Sequence, residues 1–551
     1  MNIHALAAPK LPTERSLMEH SPAVSRRALL TGSGAVALTG SLALSTSFAQ
    51  SATAAPPNAP NTAPAKPPFK GPTRMRPTYH FSVPDNWKND PQRPIFLDGE
   101  YHYYYLYNAD YLQGGGGTSW RRATTTDHVS FRDAGVAIPN FSNDNGDCWS
   151  GCLVIDERNT AGYGENAVIA LVTQAPQGRQ AQYLWYSTDR GRSFEPGGTS
   201  PVLPNPGVQD FRDPKVIWDA DRSQWFMVNA EGQKLGFYTS PNLRSWQRVG
   251  EFVRTDLGVL ECPDLFRITA DDGTSHWILG TSANGKGRGL PATYAYWTGA
   301  FNGTTFVPDH AEPDWLDYGY DFYGAVTYPH HDSSGAEDAT LRRALGWGNF
   351  WDYPHNTPTL ATDKYNGDDM IVRDLRLKKG SGGYHLVSTP TAGLANHVKQ
   401  SHQLGDVTVT GTHDLDFNAL AYDLSCELVW DPASPPANIG FEICRAAGGG
   451  RHVAAGAFLR GPFAYVNRRP TINPTGGESQ TPIDPSAGRL TLRLLVDRTS
   501  VEMFVGDGRV VHSQRVFPLE GDNSIRLYAN EGTATFGNLT INEINDINAA
   551  A

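Results

Sequence analysis

Tyr186-Ser187-Thr188-Asp189-Arg190-Gly191-Arg192-Ser193-Phe194 reads as a strand ending in Ser/Thr, a tight turn built on Asp and Gly, and an aromatic opening the next strand. The same phrase occurs at Thr124-Thr125-Thr126-Asp127-His128-Val129-Ser130-Phe131 and at Tyr238-Thr239-Ser240-Pro241-Asn242-Leu243-Arg244-Ser245-Trp246. A fourth copy runs from Tyr296-Trp297-Thr298-Gly299-Ala300-Phe301 through Asn302-Gly303-Thr304-Thr305-Phe306. The aromatics recur every ~50–60 residues, the scale of one four-stranded propeller blade. Long amphipathic helices are absent, so the fold class is all-β.

Outward from these repeats the pattern changes. After Lys378-Lys379-Gly380-Ser381-Gly382-Gly383 the phrase disappears and plain alternation takes over. Leu492, Leu494 and Val496, then Val501, Met503 and Val505, form two alternating runs, and Asp507-Gly508 supplies a hairpin signal. Short alternating strands over this length predict a β-sandwich. It carries no constellation of acids or histidines and is expected to hold no chemistry. At the other end, Ser25-Arg26-Arg27-Ala28-Leu29 precedes a mildly apolar stretch from Leu30 to Phe48, with small-residue sites at Ser47-Phe48-Ala49 and Ala52-Thr53-Ala54. This reads as a twin-arginine export signal, which implies secretion. Its Gly, Ser and Thr content leaves no sustained apolar span of bilayer length. The expected organisation is a signal over 1–54, an Ala/Pro-rich tether over 55–72, a propeller over 73–383 and a sandwich over 384–551.

Composition narrows the function. The 551 residues carry a formal net charge of -11, with 56 Gly, 39 Pro and 11% aromatics. No basic patch favours nucleic acid, and the abundant aromatics suit walls for sugar rings. The five cysteines, Cys148, Cys152, Cys262, Cys426 and Cys444, have no zinc spacing and no disulfide framework. Cys426 and Cys444 read either as a pair between neighbouring strands or as free buried thiols. Asn143-Asp144-Asn145-Gly146-Asp147 lacks the closing Glu of a calcium loop and reads better as a polar turn. No metal or cofactor is expected. Gly114 to Gly117 reads as a loop at a pocket rim.

Three acids stand in unusual company. Asp90 lies in Trp87-Lys88-Asn89-Asp90-Pro91, Asp213 in Asp210-Phe211-Arg212-Asp213-Pro214, and Glu261 in Leu260-Glu261-Cys262-Pro263-Asp264. They fall in different repeats, and a propeller gathers such residues around one axial funnel. Any one alone is more often a turn-capping residue or half of an ion pair. Together the boxes resemble those of glycoside hydrolase family 32, the invertases, inulinases, levanases and fructosyltransferases. Trp149-Ser150-Gly151, Asp317-Tyr318-Gly319, Asp321-Phe322-Tyr323, Gly346-Trp347 and Val496-Asp497-Arg498-Thr499-Ser500-Val501-Glu502-Met503-Phe504 agree with the same family.

The resemblance implies a five-bladed propeller followed by a β-sandwich, and a retaining double displacement. In it Asp90 is the nucleophile, Glu261 the acid/base and Asp213 the stabiliser of the transition state. Arg212 stays charged among the acids. Trp87, Asn89, Trp120, Ser150, Tyr323 and Trp347 are implied sugar-binding positions, and for the tryptophans packing in a blade core stands as the equal alternative. Departures from the family pattern occur at Gln92-Arg93, Arg121-Arg122 and Leu106, all expected near the pocket. The whole chain is similar to bacterial levan fructotransferases, which implies levan as the partner and a cyclic difructose dianhydride as the product. The competing expectations are a levanase or inulinase using water as acceptor, and a non-catalytic fructan-binding propeller.

Overall fold

Four carboxylate or amide turns repeat one hydrogen-bonding device. In the computed structural model, which describes residues 75–355, 357–471 and 476–548, Asp189 Oδ1 accepts the backbone N–H of Arg192 and Ser193. Asp127 does so for Val129 and Ser130, Asn242 for Arg244 and Ser245, and Asn302 for Thr304 and Thr305. Each turn joins the third strand of a blade to its outermost strand. The signal and the tether lie outside the described residues.

Five antiparallel sheets make the five blades. Their innermost strands are Asn86–Leu97, Gly151–Asp156, Arg212–Asp219, Glu261–Thr269 and Tyr323–His331, each packed against the next around the ring. Parallel pairing of Asn86–Leu97 with Tyr365–Asn366 ties the first blade to the segment following the second strand of the fifth. Five hydrophobic cores fill the gaps between neighbouring blades. Ile95 and Val168 share the first with Trp120, and Ile169 and Met227 share the second. Phe226 with Leu265, Phe266 with Ala344, and Tyr103 with Leu345 lie in the other three.

The expected boundary at 383/384 is corrected by seven residues. Gly383–Pro390 pairs with Arg373–Gly380 and completes the fifth blade, with Gly380 opposite Gly383 across the connection. The fifth blade thus replaces the Asx phrase with a two-residue hairpin at Ser381-Gly382, which is why the phrase disappears there. Beyond it a ten-stranded sheet folds on itself as a sandwich. Its 21-residue strand Ser524–Ile544 pairs with Val398–Asn418, Tyr422–Val429 and Asn438–Arg445 in turn. The alternating runs hold the register expected of them, with Leu492, Leu494 and Val496 opposite Val505, Met503 and Val501, all in the sandwich core. All five cysteines are buried and free, including Cys426 and Cys444.

Candidate active site

Backbone irregularity builds the site. Four of the five innermost strands break register at the same end: between Lys88 and Pro91, Arg212 and Lys215, Glu261 and Asp264, and Tyr323 and Val326. A bulge turns a side chain out of the pleat, and here it turns Asp90, Asp213 and Glu261 into one funnel. Asp213 and Cys262 hold left-handed backbone angles, φ 59 and 46, which for non-glycine residues is strain stored at the funnel floor. Gly324 in the fourth bulge has φ 55, and a Cβ there would lie 2.8 Å from Asp90 Oδ1.

Asp90, Asp213 and Glu261 line a single cavity of about 500 Å³. The Ser150 hydroxyl donates to Asp90 Oδ2 at 2.7 Å, while Asp90 Oδ1 is buried and without a partner. Gln92 braces this contact: its amide donates to Ser150 Oγ at 3.3 Å and accepts the Gly151 N–H at 2.8 Å. The Cys262 backbone N–H donates to Asp213 Oδ2 at 3.0 Å, and its Sγ lies 3.8 Å from both Asp90 Oδ2 and Asp213 Oδ2. Arg212 donates from Nη2 to Glu261 Oε1 at 2.9 Å and also reaches Asp210 and Gln180. The Tyr323 hydroxyl donates to Glu261 Oε2 at 2.6 Å.

Asp213 and Glu261 share the Arg212 guanidinium, and Asp90 stands in the same cavity. Burial raises the Asp90 carboxyl; the Ser150 bond works against it and the Glu261 charge adds to it. Burial pushes Asp213 up to about 7, opposed by Arg212 and reinforced by Glu261 and Asp90. The groups are coupled, so the charge on Asp213 near neutral pH depends on Arg212, Glu261 and Asp90 together. Burial likewise raises the Cys262 thiol, so it is a weak donor to the acids and no nucleophile.

Trp87, Asn89, Ser150 and Arg212 line the cavity as expected, and the Trp87 indole donates to Asn89 Oδ1 at 3.1 Å. Tyr323 touches the site through Glu261. Trp120 does not reach it: fully buried, it packs in the core between blades one and two and donates to the Trp149 carbonyl. Trp347 is also fully buried, stacked edge-on behind Trp87 at 5.8 Å. For both, the packing alternative holds. Arg121 and Arg122 are likewise corrected. They pair with Asp133 and His102 away from the cavity, whereas Gln92 and Leu106 do lie at it. Asp147 in the polar turn accepts the Trp149 indole N–H at 3.2 Å and the Thr118 N–H.

Sequence reasoning missed Trp149, Gln180, Trp351 and His355 on the cavity wall. His355 bonds the Tyr111 hydroxyl at 2.6 Å and both rings pack on Trp87, so segments from blades one and five close one side of the funnel. Trp351, 42% exposed, offers its face at the rim. Aromatic rim residues at turn-rich loops were the available signal, but no local pattern says which loop meets which.

The comparisons with known proteins agree with this fold. Residues 80–390 match the glycosyl hydrolases family 32 N-terminal domain and residues 391–543 the family 32 C-terminal domain. A levanbiose-producing levanase of Bacillus subtilis is 47% identical over 478 residues, 86% of this chain and 91% of that protein. One from Geobacillus stearothermophilus is 47% identical over 401 residues, 72% of this chain and all of that protein. The crystal structure of an exo-inulinase from Aspergillus awamori superposes with a TM-score of 0.77 at 26% identity, covering 87% of this chain and 100% of that one. With both domains matched in order and a propeller–sandwich architecture beneath them, the chain belongs to glycosyl hydrolase family 32.

Proposed function

We propose that this enzyme hydrolyses levan from its chain end and releases levanbiose by a retaining double displacement. The carrying observation is the convergence of Asp90, Asp213 and Glu261 in one cavity, with Asp90 Oδ1 free of any partner. That oxygen attacks the anomeric carbon while Glu261 gives its proton to the departing glycosidic oxygen. A covalent levanbiosyl-enzyme results, and the shortened chain leaves. Glu261, now a carboxylate, takes a proton from water as the water oxygen attacks the same carbon, and Asp90 departs. Vicinal hydroxyls of the bound ring donate to Asp213. Their donation favours its charged form, and these bonds strengthen as positive charge develops on the ring.

Levan as substrate and levanbiose as product rest on similarity to the two levanases named for that product. The cavity of about 500 Å³ has room for more than one furanose ring, with Trp351 and Trp149 beside it for the second. This reading replaces the difructose dianhydride drawn from the sequence. Cyclisation requires the outer unit to attack in place of water, and the similar proteins are named for levanbiose, the product of attack by water.

Chromatography of early products from levan tests the proposal. Levanbiose is expected to dominate, and the anomer first formed should retain its configuration by NMR. Dominant difructose dianhydride would return the reading to intramolecular transfer, and dominant free fructose would remove the second subsite.

A further inference from the structure

Beneath the acids, the innermost strands carry a second polar layer. Arg93 follows Asp90 by three residues, Lys215 follows Asp213 by two, Asp264 follows Glu261 by three, and Thr327 follows Tyr323 by four. At about 3.3 Å per residue this layer lies roughly 10 Å further along the propeller axis. Lys215 Nζ sits 3.2 Å from Asp264 Oδ1, and Asp264 Oδ2 accepts the N–H and hydroxyl of Thr327 at 3.0 and 2.6 Å. Arg342 joins through Thr327 and lies over the Phe266 ring at 4.2 Å.

The layer is unbalanced. Arg93, Lys215 and Arg342 are three cations, each more than nine-tenths buried, around the single carboxylate of Asp264. Arg93 Nε has no hydrogen-bond partner, and its nearest carboxylate oxygen, on Asp264, is 3.8 Å away. A buried cation without a counter-charge is costly, and an unused guanidinium N–H adds to that cost. The acids above do not supply the missing charge, because the principal charges acting on Lys215 are Asp264, Arg93 and Arg342.

A separate cavity of about 420 Å³ opens onto this layer, floored by Arg93, Lys215 and Thr327 and walled by Phe96, Leu153 and Trp218. At its mouth Glu157, Arg158 and Glu337 are exposed, where water screens them.

We propose that this cavity, on the channel beneath the active site, binds an oxyanion of the phosphate class against Arg93 and Lys215. Bound there, the anion supplies the missing counter-charge and accepts the unused Arg93 N–H. The apolar walls leave room for the body of a small organic phosphate, so a free ion and an ester share one head-group chemistry. Occupancy also stabilises the propeller, since the anion binds only the folded state.

Isothermal titration at fixed ionic strength, with inorganic phosphate and separately with phenyl phosphate, tests this on the full chain. Saturable one-to-one uptake is expected, weakened at least tenfold in Lys215→Gln and unchanged in Arg212→Gln. Tighter binding of phenyl phosphate identifies an ester as the ligand, and equal binding identifies the free ion. Should Lys215→Gln not fold, Ile155→Trp decides, because it fills the cavity from a half-buried wall position and leaves the charges in place. No saturable uptake by the wild type overturns the proposal. So does full affinity in folded Lys215→Gln, or loss of affinity in Arg212→Gln, which places the phosphate in the funnel.

Discussion

The two oxygens of Asp90 differ in their surroundings, and that difference orders the residue-scale consequences. Oδ2 is held by Ser150, and Oδ1 is buried beside Gly324 without a hydrogen-bond partner. Gly324→Ala would put a methyl 2.8 Å from Oδ1 at a backbone angle that L side chains resist. A loss of kcat on the order of 10²-fold is expected with the fold retained, read by steady-state kinetics and circular dichroism. Asp90→Asn should lose on the order of 10⁴-fold or more, because it removes the attacking group itself. A Gly324→Ala enzyme of wild-type activity would show that Oδ1 is not the reacting atom. The pH profile follows from Asp213, which accepts the ring hydroxyls in its charged form. With Asp213 pushed up to about 7, that form fills as pH rises through this region, giving an acid limb near 7. Removing a cation raises the carboxylate that it faced, so Arg212→Gln should move this limb upward. A downward move would contradict the hold of Arg212 on Asp213. The acids, Arg212, Ser150, Trp87 and Asn89 were legible because each sits in a short box that resembles a known family's, whereas any one alone reads as a turn or an ion pair. Gly324, Gln180 and His355 were not, since their roles exist only once distant strands meet.

Elements succeed or fail here by their turns. The Asx device recurs because a carboxylate or amide one or two residues past the strand end captures two N–H groups that would otherwise go unpaired. Asp189 accepts four such bonds, from Ser187, Arg192 and both the N–H and hydroxyl of Ser193. Asp189→Ala should therefore cost about 1–3 kcal/mol in urea unfolding. An unchanged midpoint would show the turn to be dictated by the strands alone. Four blades announced themselves in sequence through this device. The fifth did not, because Gly380 and Gly383 close its outer hairpin with a two-residue loop that needs no Asx cap. The bulges that aim the acids left no comparable trace. Their positions show only when each innermost strand is laid beside its partner, although the proline after each acid marks where regular pairing stops.

At the scale of the whole molecule, the sandwich is the part whose purpose the sequence hid. Its Asp497 and Glu502, embedded in an alternating strand pattern, point out of the sandwich core and into the propeller. Asp497 accepts the N–H groups of Thr78 and Tyr79, and His80 is clamped between Asp497 at 2.9 Å and Glu502 at 3.0 Å. Glu502 also binds the Ile371 N–H and Arg373, and Arg373 in turn binds Asp317 and Ser513. All of these side chains are buried, so the network is strong only while fully charged and fully paired. Burial alone would lower His80, but hydrogen bonds and charge from Asp497 and Glu502 outweigh it and raise the imidazole from 6.5 to about 9. A raised histidine contributes stability that is complete below its unfolded value near 6.5 and is lost as pH climbs through about 9. The two acids are held below their ordinary values, so their contribution is present above the usual carboxylate range and lost only on acidification. The histidine term amounts to about 3 kcal/mol, enough to show in a melting experiment. Calorimetry of the wild type between pH 6 and 10 should show Tm falling across the upper half of that range. His80→Gln, which keeps a neutral donor but cannot titrate, should melt lower at pH 6 and lose much of the slope. Equal slopes in the two proteins would mean that other groups set the alkaline limit and that the His80 clamp joins the two domains without governing their pH dependence.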